Sequence, residues 1–426
     1  MGDFDIEEEL VHIIDRKREE LLKLCCNLVK ARSENPPGDV SEAASVAEEY
    51  LRNEGLKVEV YEPEKGRLNL LATVGEGKRT LILNGHIDVV PTGDAAEWSF
   101  PPLLGEIREG RILGRGTSDM KSGVASIVGA VSALSKFEDE MPGRVLVTLV
   151  CDEETGGVKG TRWLADEDLL KGDACLIAEC TGREKTGYAI EAGERGILWI
   201  HLKARGKPAH GSTPMLGKNA ILMMMEALSR LRGIDELKVV MPSEAEELVI
   251  AGCKFFAKGV GDCRNGVVGL ERLLDHYSMN VGTIRGGTKT NVVPESCEAD
   301  LDIRIPLGGS RDQVERYLAS CLPEDFEYEV KNFAPPSYTP SKSELVEIVK
   351  GVAETFLGYP PPAIIIPACS DAHIIREKLG IPVLSFGPGY SDLAHVRDEY
   401  VKAEDVVNFA KIYAVIAARW MQRLCK

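Results

Sequence analysis

The sequence has no apolar run that approaches the roughly 20 residues of a membrane-spanning helix. Its N-terminus, up to Leu10, is acidic, whereas a secretory signal peptide begins with basic residues that are followed by apolar ones. Internal repeats and low-complexity segments are also absent from the sequence. We therefore expect a globular protein of the cytoplasm.

Basic residues are in the minority, and no local basic cluster stands out. The chain has 51 Lys and Arg against 67 Asp and Glu, which gives a formal net charge of -16. Because that charge repels polyanions, we expect no nucleic acid partner. The cysteines form no CxxC pair, and Cys151, Cys175 and Cys297 fall in apolar runs. They are predicted to be reduced core thiols without a role in disulfides or metal binding.

The length and the order of the sequence patterns predict two domains. At 426 residues the chain exceeds one ordinary core of about 100 to 200 residues. Strand-like runs alternate with helical patterns over 1–187 and again over 307–426, whereas 188–306 shows a β-α-α-β pattern. We predict an α/β fold in which 1–187 and 307–426 form a three-layer α/β/α sandwich. The segment 188–306 is predicted to be an inserted α+β, ferredoxin-like domain.

Side chains that can bind metal ions recur along the chain, mostly just after short apolar runs. They are His86, Asp88, Asp119, Glu153, Glu154, Glu179 and His395. The carboxyl ends of parallel strands meet at one edge of a sheet, where α/β enzymes bind their ligands, so we expect these side chains to lie together. Histidines combined with carboxylates suit Zn²⁺ and similar divalent ions. The pattern therefore predicts a hydrolase with two metal ions.

The first three positions each also have a simpler interpretation. His86 and Asp88 point to the same side of an extended stretch, so Asp88 can orient a metal-bound His86. Taken alone, a His-x-Asp motif is more often a surface pair. Asp119 precedes a predicted helix, where a carboxylate can bridge two cations or can simply cap the helix.

The later positions carry similar alternatives. In the doublet Glu153-Glu154, one carboxylate can bind metal while the other acts as a general base, or both can belong to a solvated acidic loop. Glu179 follows another apolar run and repeats that pattern. His395 lies in a glycine-rich loop, where a lone histidine is more often unliganded. Their recurrence at strand ends favours one shared site over separate explanations.

Several segments together resemble the signature of the co-catalytic zinc amidohydrolase and metallopeptidase superfamily. They are NGHIDVVP at 84–91, GRGTSDMKSG at 114–123, DEETG at 152–156 and AH at 394–395. That superfamily includes succinyl-diaminopimelate desuccinylase, acetylornithine deacetylase, aminoacylases, dipeptidases and carboxypeptidases. The resemblance covers nearly the whole chain, in the same order.

The resemblance implies a role for each candidate. One zinc ion would be held by His86, Asp119 and Glu179, and the other by Asp119, Glu154 and His395. Glu153 would be the general base, Asp88 would orient His86, and the peptide after Asp119 would be cis. The implied cofactors are two divalent ions, Zn²⁺ with Co²⁺ or Mn²⁺ as alternatives.

The inserted segment adds further residues by resemblance. His210, in GKPAHGS at 206–212, resembles a histidine that reaches the active site of the partner subunit of a homodimer and polarises the scissile carbonyl. Alternatively it is a surface loop residue. The implied substrate-binding residues are Gly286, Gly287, Asn291, Arg304 and Ser370. An arginine can clamp a carboxylate with two hydrogen bonds, although Arg304 could equally form a surface ion pair.

The resemblance implies hydrolysis of the amide bond of an N-acyl amino acid by a deacylase that resembles succinyl-diaminopimelate desuccinylase or acetylornithine deacetylase. A metal-bound hydroxide would attack the carbonyl, with Glu153 as the general base. The sequence around Ser370 favours the desuccinylase branch. A metallo-dipeptidase or carboxypeptidase is the alternative enzyme, because it would use the same metal site. A non-catalytic binding protein on the same fold is disfavoured, since neither the base nor a ligand is missing.

Overall fold

The computed structural model describes residues 6–259 and 273–422. The helices are α1 (Ile6–Arg16), α2 (Arg18–Lys30), α3 (Ser41–Asn53), α4 (Ser122–Leu134), α5 (Thr161–Asp166), α6 (Ala220–Leu231), α7 (Ser243–Gly259), α8 (Arg311–Cys321), α9 (Glu344–Leu357), α10 (Ala372–Leu379) and α11 (Ala403–Gln422). The strands are β1 (Val58–Glu64), β2 (Arg67–Val74), β3 (Thr80–His86), β4 (Glu106–Arg108), β5 (Arg111–Leu113), β6 (Arg144–Val150), β7 (Ala174–Arg183), β8 (Gly187–Tyr188), β9 (Ile190–Glu194), β10 (Gly196–Arg205), β11 (Ser278–Gly286), β12 (Ser296–Ile305), β13 (Phe326–Ala334), β14 (Ser337–Tyr338), β15 (Ala363–Ile366), β16 (Val383–Tyr390) and β17 (Tyr400–Lys402).

The chain divides into two compact units. The first consists of Met1–Ala192, Thr339–Ile364 and Ser370–Lys426, and the second of Gly193–Tyr338 and Ile365–Cys369. The first unit combines a largely parallel sheet with many helices, and the second carries an antiparallel sheet with its own helices. This organisation agrees with the predicted α/β fold with an α+β insert.

The sheet of the first unit pairs its strands in the order β1-β2-β6-β3-β7-β16. The four strands β6, β3, β7 and β16 run parallel, while β2 joins β6 and β1 joins β2 in antiparallel pairs. Every residue of β3 is buried, which explains why its sequence and that of β6 read as continuous apolar runs. The central strands are therefore those that lead to the candidate ligands.

Helices cover both faces of this sheet. The Asn84 side chain on β3 donates a hydrogen bond to Thr148 and also faces Thr161 of α5, whereas the next residue, Gly85, faces α4. Because neighbouring residues of a strand point to opposite faces, α4 and α5 lie on opposite sides. Helices α2 and α11 pack on α4, so every residue of α4 is buried. The first unit is thus built in three layers, as predicted.

Gly123, in the first turn of α4, allows the helix to approach β7 closely. A Cβ added at this position would lie 2.1 Å from the carbonyl oxygen of Ala178. The contact lies next to two candidate ligands in the chain, because Ala178 directly precedes Glu179 and α4 begins shortly after Asp119. The close approach therefore sets the distance between two parts of the site.

The second unit is a four-stranded antiparallel sheet in the order β11-β12-β10-β13, with α6 and α8 packed on one face. Side chains along β10 alternate between the buried core and the solvent: Leu198, Ile200 and Leu202 are buried, and Trp199 is exposed. That alternation is typical of a sheet with one buried face.

The second unit extends beyond the predicted insert, which ended at 306. Strand β13 pairs with β10 from Ile197↔Ala334 to Ala204↔Phe326, and Val314 and Leu318 of α8 belong to the buried core of this unit. In the sequence, a helix followed by a strand is compatible with either domain. Only the pairing of β13 with β10 shows that α8 and β13 belong to the second unit.

The structure bears on two predictions made from composition, one about the cysteines and one about membrane-spanning segments. Cys151, Cys175 and Cys297 are buried, as their apolar surroundings predicted. Among the helices within 6–259 and 273–422, none is long and apolar enough to cross a membrane.

Candidate metal centre

The predicted ligands follow or end parallel strands of the first unit. His86 is the last residue of β3, and Glu153 and Glu154 form a short turn that follows β6. Glu179 lies in the second half of β7, and His395 lies in the loop after β16. Because β6, β3 and β7 are adjacent and parallel, these side chains meet at one edge of the sheet.

Asp119 is shared by two groups of possible metal ligands. His86, Asp119 and Glu179 form one group, and Asp119, Glu154 and His395 form the other; in each, the ligand atoms lie within 4.8 Å of one another. Asp119 Oδ1 is 3.0 Å from Nε2 of His86, while Oδ2 is 3.1 Å from Nε2 of His395. The two oxygens thus face different histidines, as a bridging carboxylate requires. The Asp119-Met120 peptide is cis, which confirms that prediction.

The other two carboxylates of these groups each approach one histidine. Glu179 Oε1 is 3.6 Å from Nε2 of His86, and Glu154 Oε2 is 3.1 Å from Nε2 of His395. Glu153 is in neither group formed by the described residues. The doublet is therefore divided, with Glu154 among the ligand atoms and Glu153 beside them.

The His86 ring is oriented by the main chain of Asp88. Nδ1 lies 3.0 Å from the Asp88 carbonyl oxygen, which can only accept a hydrogen bond. Nδ1 therefore carries a proton, and Nε2 is the ring nitrogen directed at Asp119 and Glu179. A histidine whose outer N–H is held in this way is prepared to bind a metal through its other nitrogen.

The Asp88 carboxylate holds the acidic turn more directly than it holds His86. It accepts hydrogen bonds from the backbone N–H groups of Glu153 and Glu154, at 3.2 and 3.3 Å, and from Asn35 Nδ2 at 2.8 Å. Its distance to Nδ1 of His86 is 3.5 Å. Asp88 is fully buried, and these hydrogen bonds fix the backbone of Glu153, the candidate base, relative to the candidate ligands.

Negative charge accumulates in the site. Burial raises the pKa of Glu153 and Glu179 well above its usual value, and it also raises that of Glu154. Burial alone would raise the pKa of Asp119 too, but hydrogen bonds from His395 and His86 hold it well below its usual range. Contacts with Asp119 and Glu154 raise the pKa of His395 to about 10. The clustered carboxylates therefore need protons or cations to balance their charge.

The residues fit a pair of divalent cations. The donor set combines imidazole nitrogens with carboxylate oxygens, which suits Zn²⁺ and related ions. Glu154 Oε1 is buried and has no hydrogen-bond partner among the described residues. A buried carboxylate oxygen without a donor is costly unless a cation balances it. The site thus offers both the ligands and an unsatisfied acceptor for a metal ion.

Sequence patterns missed several residues that support the site. Asn35 is buried and donates to Asp88 at 2.8 Å and to Thr155 at 3.0 Å, and its Asn-Pro-Pro context gave no signal of this role. Asp371 accepts a 2.6 Å hydrogen bond from Thr161, and burial raises its pKa to about 7. Its position beside Ser370, which the resemblance did identify, was the available signal.

His210 and Asn291 lie side by side in the second unit. The backbone N–H of Gly211 donates to the carbonyl oxygen of Asn291 at 2.8 Å, and His210 forms a bridge with Val292. His210 is exposed. Its Nδ1 accepts a 3.2 Å hydrogen bond from the backbone N–H of Ser212, so the neutral ring carries its proton on Nε2.

The residues predicted to bind substrate do not form one patch within the second unit. Gly286 pairs with Cys297 at one end of the β11-β12 ladder, whereas Arg304 pairs with Ser278 at the other end. These ends are about 23 Å apart, since seven residues of β12 separate them at roughly 3.3 Å per residue. Arg304 forms an ion pair with Asp302, with 2.9 Å between Nε and Oδ1. Ser370 belongs to the first unit, where its Oγ accepts from the backbone N–H of Ala372.

Comparisons with known proteins agree with this geometry. The model of peptidase family M20/M25/M40 matches residues 82–419. A succinyl-diaminopimelate desuccinylase of Cereibacter sphaeroides is 32% identical over 359 residues, which covers 81% of this chain and 85% of that protein. Another, of Xanthomonas campestris, is 28% identical over 411 residues and covers 94% and 98%.

A solved structure shares the fold. It is an M20 family metallo-carboxypeptidase, Sso-CP2, from Sulfolobus solfataricus, with a TM-score of 0.80, 23% identity, and coverage of 94% of this chain and 99% of that one. This likeness confirms the predicted fold class, and the family match confirms the resemblance inferred from the motifs.

Proposed function

This chain belongs to peptidase family M20/M25/M40, whose members are hydrolases, and we propose that it removes the acyl group from an N-acyl amino acid with two divalent metal ions. The observation that carries the proposal is the shared carboxylate of Asp119, whose two oxygens face His86 and His395. The relatives named succinyl-diaminopimelate desuccinylase support this class of substrate.

Each metal ion has its own group of ligands in this proposal. His86, Asp119 and Glu179 hold one ion, and Asp119, Glu154 and His395 hold the other. When bound, the ions polarise the scissile carbonyl and lower the pKa of water toward 7. The ligand types favour Zn²⁺, with Co²⁺ and Mn²⁺ as alternatives.

Glu153 acts as the general base. Its backbone is held by Asp88, and burial raises its pKa well above the usual value, which favours the uptake of a proton by its carboxylate. It takes a proton from the attacking water and delivers it to the leaving amine. Asp88 keeps both His86 and the Glu153-Glu154 turn in place through the contacts described above.

His210 acts on the site of a second copy of the chain in a homodimer. The proton on its Nε2 can be donated to a carbonyl oxygen, which stabilises the negative charge that develops there. The same unit offers a surface for a second copy, because β11 is an edge strand and nearly all of it is exposed. Val281 and Ile284 on β11, and Leu222 and Met225 on α6, are exposed apolar residues. Exposed strand edges favour pairing with another chain.

The residues proposed to bind substrate lie at separate places in the second unit and in the first. Asn291 stands beside His210, whereas Arg304 is at the far end of the hairpin from Gly286 and Gly287. We assign Gly286, Gly287 and Asn291 to the same side of the pocket as His210. Arg304 and Ser370 are assigned to substrate binding as separate contacts. The cytoplasmic location stays a prediction from composition.

A metallo-carboxypeptidase or dipeptidase is the second candidate, because the fold is shared with a metallo-carboxypeptidase at a TM-score of 0.80. The two candidates are separated by offering the metal-loaded chain N-succinyl amino acids, N-acetyl amino acids and dipeptides. We expect the fastest turnover with an N-acyl amino acid. Preference for dipeptides would select the second candidate, and no turnover of any substrate would favour a binding protein.

Glu153→Gln is the matched control for that assay. We expect it to keep both metal ions, because Glu153 is outside both ligand groups, and to lose about 10²- to 10⁴-fold in turnover. Metal content is measured after desalting by elemental analysis. Full activity in this variant would exclude Glu153 as the base.

A further inference from the structure

Glu399 is a buried carboxylate that accepts hydrogen bonds from the loop that carries Asp119. Its Oε1 accepts from the backbone N–H groups of Ser118 at 2.7 Å and Asp119 at 3.1 Å. Its Oε2 accepts from the backbone N–H of Gly116 at 3.1 Å and from Arg115 Nη1 at 2.7 Å. Glu399 is fully buried and Arg115 nearly so. One side chain thus satisfies three backbone donors of the loop, including that of Asp119 itself.

Arg115 connects this carboxylate to the loop of His395. The same Nη1 that contacts Glu399 also donates to the carbonyl oxygen of Val396, the residue after His395, at 3.0 Å. The backbone of His395 has a φ of 61°, in the left-handed region that is unfavourable for residues other than glycine. Such a conformation persists only when the surrounding structure holds it.

A short sheet brings the two loops together. Strand β17, which begins directly after Glu399, pairs with β5, which ends directly before Gly114. The backbone N–H of Gly114 donates to the Glu399 carbonyl oxygen at 3.0 Å, and Ser118 Oγ donates to that of Tyr400 at 2.9 Å. The ion pair is therefore placed between two segments that are distant in the sequence and that both carry ligands.

We propose that Glu399, together with Arg115, is a positioning residue for the metal group formed by Asp119, Glu154 and His395. Its side-chain contacts are with Arg115 and with backbone N–H groups, and it acts by fixing the backbone on both sides of that group. This inference rests on the proposed dinuclear site.

The two metal groups depend on the ion pair to different degrees. His86 ends β3 and Glu179 lies within β7, so the sheet holds these two ligands without help from Glu399. His395 lies in a loop, and half of its side chain is exposed, at 53%. Loss of the ion pair is therefore expected to release the ion held with His395 and to retain the ion held with His86.

Glu399→Gln tests this with the full-length, metal-loaded protein. An amide has one acceptor oxygen and turns its N–H groups toward the other donors, so the Oε1 contacts with Ser118 and Asp119 and the Oε2 contacts with Gly116 and Arg115 cannot all persist. We expect one retained Zn²⁺ per chain after desalting, and at least about tenfold weaker binding of the second ion by calorimetry. Loading with Co²⁺ should give a visible absorption spectrum that lacks the contribution of the second ion.

The matched control is Glu54→Gln. Glu54 is also a mostly buried carboxylate of the first unit, where it is bound by Lys17 and by Ser132 near the end of α4. Ser132 is about 15 Å along α4 from the Asp119 end, at 1.5 Å per residue. This variant is expected to keep two ions. If Glu399→Gln does not fold by circular dichroism, Arg115→Lys carries the same test, because the shorter lysine side chain does not bring its ammonium nitrogen to the position from which Nη1 contacts both Glu399 and Val396.

The outcomes separate this inference from the proposed function. Two ions of unchanged affinity in a folded Glu399→Gln or Arg115→Lys variant would overturn the positioning role and leave the proposed function intact. Equal loss of both ions would also overturn it, since the pair would then support the whole unit. A wild-type chain that binds fewer than two ions would overturn the proposed function and the inference with it.

Discussion

Replacing Gly123 with alanine tests how closely α4 must approach β7 for the metal site to form. The added Cβ would lie 2.1 Å from the carbonyl oxygen of Ala178 and 2.9 Å from its Cβ. An ordinary contact begins near 3.4 Å, so the helix and the strand must separate by roughly 1.3 Å. The obstacle is backbone, so no side-chain rotation can relieve it.

The expected magnitude follows from two opposing effects. Alanine favours a helix over glycine by about 1 kcal/mol, whereas overpacking of a closely packed interior costs about 1–3 kcal/mol and occasionally more. Because the clash is with backbone, we expect the net effect to be destabilising, by about 1–2 kcal/mol. The effect on metal binding should be larger, since catalytic groups must be held within about 0.5 Å of their working positions.

Gly129→Ala is the control, because Gly129 lies in the same helix and gains the same preference for helix. Its added Cβ would meet Cδ1 of Leu21 at 2.9 Å, and a flexible side chain can move away. We expect a stability within about 1 kcal/mol of wild type. Stability is measured by denaturant unfolding, and metal content and turnover on the same samples. Equal stability and equal metal content in the two variants would refute the role assigned to the α4-β7 approach.

Two further predictions concern the partner chain and the metal ions. Mixing Glu153→Gln protein with His210→Ala protein should restore about one quarter of wild-type turnover, because about half of randomly formed dimers are mixed and each mixed dimer has one complete site. Turnover no higher than that of the separate variants would argue against action in trans. Removing divalent ions with a chelator should abolish turnover and lower the free energy of unfolding by about 3–4 kcal/mol for each ion, relative to protein with ions at 100 to 1,000 times their dissociation constant. An unfolding curve that the chelator does not shift would contradict binding of the ions to the folded chain.

The sequence predicted which side chains lie together because their positions follow from strand topology. His86, Glu154 and Glu179 each end, follow or lie in a strand of the parallel group, and the carboxyl ends of such strands converge whatever the loops do. The signal for each was the local order of an apolar run followed by a polar residue. His395 is in the loop after β16, whereas Asp119 precedes α4 and lies outside that rule.

What the sequence missed depends on pairing over long distances. Glu399 meets Gly116 and Ser118 across about 280 positions of the chain, and its own neighbours give no local pattern. Gly286 and Arg304 were both assigned to substrate binding by resemblance, yet the antiparallel pairing of β11 with β12 places them at opposite ends of the ladder. The end of the insert was missed for a related reason, because only the pairing of β13 with β10 shows which unit that strand joins.

Asp119 is supported by the packing of α4 on β7 and by Glu399. We therefore expect substitutions at Gly123 and at Glu399 to affect the two proposed metal groups differently. Gly123 sets the distance from the Asp119 turn to Glu179, so its replacement acts first on the group that contains His86. Glu399 binds the backbone of Asp119 and, through Arg115, the loop of His395, so its replacement acts first on the other group. Because Asp119 is common to both groups, Gly123→Ala should weaken the second ion as well. Glu399→Gln should spare the first ion, since the sheet still holds His86 and Glu179. Asp119, which is common to the two proposed metal groups, thus has one support in the helix-sheet packing and another in a buried ion pair.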